Sequence, residues 1–137
     1  MTRALLGLAL LLGAAPAWSA EPERRSLNVW ATAYNSTDAQ TDSTPHVGAW
    51  GDDLDDAVQP GLRVIAVSQD LLAEHGLRRG QRVRIHGLKG EFVVLDKMPK
   101  RWTHRIDIYM QKDVRAARKW GRRRVKISWT PSASADS

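Results

Sequence analysis

Two aspartates, Asp96 and Asp107, lie at the ends of a basic, Trp-containing stretch in the segment VVLDKMPKRWTHRIDIYM, Val93 to Met110. Each is set in an apolar, strand-like run, where a carboxylate is costly unless something requires it. Two such groups can work as a pair. Burial and a neighbouring carboxylate both raise a carboxyl pKa, so that one of the two keeps a proton close to neutral pH and serves as acid and then base. The same residues can instead accept hydrogen bonds from backbone amides and do no chemistry, and residue type leaves both roles open. Other chemistries lack their patterns. His46, His75, His86 and His104 show no ligand spacing, so neither a metal nor a cofactor is expected. Asp38 and Asp42 do not form a calcium-loop pattern, and no Ser/His/Asp context appears.

The elements that must position the pair can be read from periodicity. Leu27 to Tyr34 alternates, with Leu27, Val29, Ala31 and Ala33 on one face and Trp30, Thr32 and Tyr34 on the other. Further strands are expected at Leu62–Val67, Gln81–His86, Glu91–Leu95, Arg105–Tyr109 and Arg123–Trp129. Ser68 reads as a helix N-cap followed by Asp70, Leu71 and Leu72, with Gly76 as terminator. Asp113 opens a second short helix with Val114, Ala117 and Trp120 as its inner stripe, stopped by Gly121. Asn35 to Gly61 is a long polar connection, a length that usually marks function; its acidic tract Gly51–Ala57 reads as solvated. The arginine run Arg122–Lys126 reads as a solvated strand face. Six short strands and two short helices in a small chain favour a barrel or sandwich.

The chain has 137 residues and a net charge of +6, enough for one domain, with no cysteine and hence no disulfide or lipid-modified terminus. Residues 1–20 have the form of a secretory signal peptide: Arg3, an apolar run from Ala4 to Gly13, then small residues to Ala20. That run is short of the roughly 20 apolar residues a spanning helix needs. The expectation is a periplasmic or secreted protein beginning near Ala20 or Glu21, without stable membrane insertion, with one domain over 27–129 and a disordered tail over 130–137. A basic exported protein suits an anionic wall polymer such as peptidoglycan better than nucleic acid, which it would not meet after export. A monomer is expected.

The stretch from Ala66 to Ile127 resembles the triple-aspartate ("3D") domain, which goes with MltA-type lytic transglycosylases, resuscitation-promoting muralytic proteins and RlpA-like double-psi β-barrels. The matching residues are Ala66–Val67, Arg79–Gly80 to Val83, Asp96, Arg105 to Tyr109, Ala116–Ala117 and Gly121 to Arg123, with the eleven-residue step from Asp96 to Asp107. The resemblance covers Leu62 to Trp129 and, more loosely, the opening strand ending ATAY. Two positions depart from it. Ser68 replaces the first aspartate, and DKMP (Asp96 to Pro99) replaces the D-T-G-G loop. Asp70 stands close by as a substitute carboxylate or as a partner of the helix dipole.

The resemblance implies a mainly β fold, a small six-stranded double-psi β-barrel with two short helices. It implies Asp107 as the catalytic acid of glycan-strand cleavage, with Asp96 beside it. A lytic transglycosylase needs one such group, because its nucleophile, the muramic 6-hydroxyl, is already part of the substrate. Trp102, Arg101, Tyr109, Thr32 and Tyr34 are the expected substrate-binding residues, Trp102 as a platform for the apolar face of a sugar. Trp30 fits a core role as well as a stacking role. Three functions are open on the sequence: a glycan-cleaving enzyme, a non-catalytic peptidoglycan-binding module on the same barrel, and charge-driven binding to anionic lipid or nucleic acid.

Overall fold

In the computed structural model, residues 23–37 and 45–131 are described. The expected signal peptide over 1–20, Asp38, Asp42 and the tail beyond Pro131 lie outside them. Alternating bulky residues make six strands: β1 (Arg25–Tyr34), β2 (Leu62–Val67), β3 (Arg82–Ile85), β4 (Glu91–Lys97), β5 (Arg105–Tyr109) and β6 (Arg123–Trp129). They form one sheet closed in a ring, in the order β1-β5-β2-β4-β3-β6. Closure leaves no free sheet edge. The β1–β5 and β2–β4 pairs are parallel and the other pairs antiparallel. No helix among the described residues is long and apolar enough to cross a membrane.

The ring's interior is filled by every second side chain: Val29 and Ala31, Ile65 and Val67, Val83 and Ile85, Phe92 and Val94, Ile106 and Ile108, Ile127 and Trp129. This period of two is what one buried sheet face requires. A second, smaller cluster lies on the outer face of β2, β4 and β5, where Leu62, Val64, Val93 and Tyr109 are covered by Leu54.

That cover corrects two expectations. The acidic tract is not simply solvated, because Leu54 within it is fully buried. It also forms a third helix where two were expected, α1 (Leu54–Ala57), with Asp53 as N-cap accepting from the amides of Asp55 and Asp56. Four polar neighbours hid one anchoring leucine. The two expected helices are α2 (Gln69–Ala73) and α3 (Val114–Trp120). Asp113 caps α3 through the Ala116 amide, but Ser68 makes no side-chain cap for α2. Its buried hydroxyl instead accepts from the Arg105 amide at 3.0 Å and ties the start of β5 to the end of β2.

Candidate functional site

β2 is the strand on which the two aspartates are organised. Ala66 pairs with Asp96 of β4 on one side and with Asp107 of β5 on the other. The carboxylates therefore belong to strands two apart, at one level. Two strand spacings put their backbones roughly 10 Å apart. Ala66 is the small residue in an otherwise bulky strand, and its methyl forms the floor between them.

Asp96 reaches this face because of an irregularity. Phe92 and Val94 point into the barrel, so strict alternation would send Asp96 inward too. The register with β2 shifts between Ile65 and Ala66: Ile65 pairs with Val94 and Ala66 with Asp96, leaving Leu95 as an extra residue. A bulge of this kind re-aims the following side chain, and it turns Asp96 outward beside Asp107.

The carboxylates have different surroundings. Asp96 Oδ1 accepts from the Ala49 amide at 2.7 Å and the Lys97 amide at 2.9 Å, and Oδ2 accepts from the Tyr34 hydroxyl at 3.0 Å. Asp107 Oδ1 accepts from the Thr32 hydroxyl at 3.0 Å, across the parallel β1–β5 pair. Burial pushes the Asp107 carboxyl up to about 6; the Thr32 hydrogen bond and the Arg105 charge oppose the rise, and the Asp96 charge adds to it. Burial, with the adjacent Asp96, also holds the Tyr34 hydroxyl well above its ordinary value.

Both carboxylates line one groove of about 560 Å³. Tyr34 and Ala66 contribute to its walls, together with the chain from Lys97 to Pro99, Arg101 and Trp102. Pro45, Val47, Gly48 and Ala49 close it from the long connection. These last four carry no chemical signature and were not legible as site residues. Gly48 has a steric one: a Cβ there would collide with the Leu95 carbonyl and crowd the Leu54 side chain. The glycine lets the connection lie directly on the bulge, which delivers the Ala49 amide to Asp96. The bidentate Asp52–Arg79 pair, at 2.6 and 2.9 Å, secures the same connection from its other end.

The expected substrate-binding residues divide. Arg101, Trp102 and Tyr34 line the groove, and Thr32 acts through Asp107. The Trp102 ring carries the Arg105 guanidinium at 4.0 Å and that of Arg101 at 5.1 Å, so part of its surface is already stacked. Tyr109 is absent from the groove lining. It is 2% exposed, packs against Tyr34 and donates to Asp55 Oδ1 at 2.7 Å, fixing α1 to the sheet. Burial is the main cause that raises its hydroxyl to about 12. Trp30 is half-buried on the outer face, flanked by Arg122 at 4.0 Å and Arg124 at 5.1 Å. Asp70 does not join the pair: it contacts His104, which brings His104 and His75 together despite their distance in sequence.

No protein-family model matches this chain, and no curated protein matches it significantly.

Proposed function

We propose that this chain is an exported, peptidoglycan-active protein of the triple-aspartate, double-psi β-barrel type, which cleaves glycan strands as a lytic transglycosylase. The observation that carries this proposal is a largely buried carboxyl, Asp107, poised at about 6 in a groove that also holds Asp96. The two interlocking parallel pairs within a closed ring support the double-psi assignment. At mildly acidic pH a substantial fraction of Asp107 is protonated. It donates that proton to the glycosidic oxygen as the bond to C1 breaks. The resulting carboxylate then takes the proton of the muramic 6-hydroxyl while that oxygen closes on C1, giving a 1,6-anhydro end and restoring the acid. The Asp96 carboxylate favours the positive charge that develops at C1. Arg101 and Trp102 hold the strand at the rim. Ser68 stands at the first aspartate of the resemblance and supplies a neutral acceptor to the Arg105 amide, a structural task that a carboxylate could also perform.

One observation favours a non-catalytic, wall-binding module on the same barrel. Asp96 accepts from three donors and Asp107 from Thr32, so both carboxylates are already engaged in holding strands and loops together. Digestion of purified sacculi followed by mass spectrometry separates the two. Release of anhydro-muropeptides that disappears with Asp107→Asn supports the enzyme. Retention on sacculi without products supports the module. Neither product nor retention removes peptidoglycan as the target.

A further inference from the structure

Where α2, its exit and the entrance to β5 converge, three side chains with metal-ligating atoms meet outside the groove: Asp70, His75 and His104. Their ligand atoms all lie within 4.8 Å of one another. We propose that they form a binding site for a transition-metal cation of the zinc class. The proposal is independent of what the groove does.

The geometry is nearly assembled. His104 Nδ1 lies 3.1 Å from Asp70 Oδ2, and the two imidazoles meet edge to face with centroids 5.3 Å apart. Donors bound tetrahedrally to zinc at about 2.0–2.1 Å sit roughly 3.3 Å from each other. One pair already has that separation, and a side-chain rotation of His75 closes the third corner. The carboxylate is held in place, since Oδ2 also accepts from the His104 amide at 3.0 Å. Its other oxygen, Oδ1, is buried, and the neighbouring Ser68 hydroxyl, which accepts from the Arg105 amide, keeps its own O–H to favour the charged form of the carboxyl. His104 adopts a left-handed backbone with φ 48°, unusual for a residue other than glycine, and this conformation brings both its amide and its ring to Asp70.

The donor set decides the class of ion. Two imidazoles and one carboxylate suit zinc, cobalt, nickel or copper, whereas calcium and magnesium take oxygen ligands. Three protein donors leave a fourth position for water or an anionic ligand. A metal bound through Nδ1 of His104 requires that ring to carry its proton on Nε2, the atom left free to face solvent or another acceptor. Arg25, whose guanidinium reaches the His75 carbonyl at 3.4 Å, places one positive charge nearby and keeps affinity below that of a closed four-ligand site. His104 ends the loop that carries Arg101 and Trp102, so a bound ion would join that loop to α2.

The test is titration of chelator-treated, purified protein with Zn²⁺ by calorimetry and with Co²⁺ by visible absorption. One equivalent is expected to bind, with ligand-field bands of a four- or five-coordinate nitrogen–oxygen site. His75→Ala, His104→Ala and Asp70→Asn should each weaken binding at least tenfold. His46→Ala and His86→Ala should leave it unchanged, with folding of every variant checked by circular dichroism. Zn²⁺ should also raise the melting temperature of the wild type but not of His75→Ala, a substitution at a partly buried side chain. Absence of one-equivalent binding, or binding that survives His75→Ala and His104→Ala, overturns the site and leaves the Asp70–His104 contact as a hydrogen bond only.

Discussion

At the scale of single residues, Asp107 sets activity against stability. The folded state holds its proton more tightly than the unfolded chain does, about 6 against an ordinary 3.8. The stability contributed by the neutral form is complete below about pH 3.8 and is lost as pH rises through 6, amounting to roughly 3 kcal/mol at about 1.4 kcal/mol per pH unit. Asp107→Asn keeps the size and the acceptor for Thr32 but carries no charge. It should therefore be more stable than the wild type at pH 7.5 by up to about 3 kcal/mol, with the advantage fading near pH 4. Urea unfolding at the two pH values checks this, and equal stability at pH 7.5 would show that ionising this carboxyl carries no cost. If Asp107 is the acid, glycan cleavage by the wild type should fall as pH rises above about 6, read from initial rates of anhydro-muropeptide release. The Tyr34 hydroxyl gives a smaller test. Tyr34→Phe removes one donor to Asp96 and should lower stability by about 1–2 kcal/mol, with little change expected if water replaces the hydroxyl.

Among the elements, the bulge at Leu95 and the connection laid on it matter most. Gly48→Ala places a methyl against the Leu95 carbonyl, so the connection must lift and Ala49 must release Asp96. A loss of about 1–3 kcal/mol is expected from the strained contact and the broken hydrogen bond, accompanied by faster amide exchange at Ala49. An unchanged exchange rate there would mean that the glycine is not what seats the connection. This region also shows where sequence stops informing structure. The strands β2, β5 and β6 were legible to the residue, because a period of two with turn residues at both ends leaves little freedom. The bulge was not legible: Leu95 looks like any strand residue, and only its pairing with β2 shows it to be extra. Helix α1 was missed because Leu54 sits among acidic residues, and burial of one leucine depends on a surface made by β2 and β4. Asp107 was legible as a candidate from its type and setting. The meeting of His75 with His104 was not, since no local spacing encodes contact between two distant turns.

For the whole molecule, the ring has an uneven seam. β3 is its shortest strand; it pairs with β4 through Arg82–Val93 and Val83–Phe92 and with β6 through Arg84–Ser128 and Ile85–Ile127, with a few flanking backbone hydrogen bonds from Gly80, Gln81 and His86. β2, by contrast, is paired along its whole length with β4 and over its last three residues with β5. Local opening follows the density of such pairing. Hydrogen exchange should find β3 the least protected strand and β2 the most, and the reverse order would indicate that the barrel opens on the groove side instead. Binding to sacculi has a whole-molecule test of its own. A chain of net charge +6 held by charge alone should be released as salt rises, while one held by its groove should stay bound.

The placement of the two carboxylates on either side of Ala66 makes the site modular. Their separation is gauged by interstrand hydrogen bonds, much as the gap of a vice is set by its frame, and not by the chain that happens to connect them. The segment from Pro99 to Thr103, between the anchored Met98 and His104, can therefore be exchanged like a tool tip. Grafting a loop of different length or charge between β4 and β5 would alter what the rim grips while the jaws beneath it keep their distance.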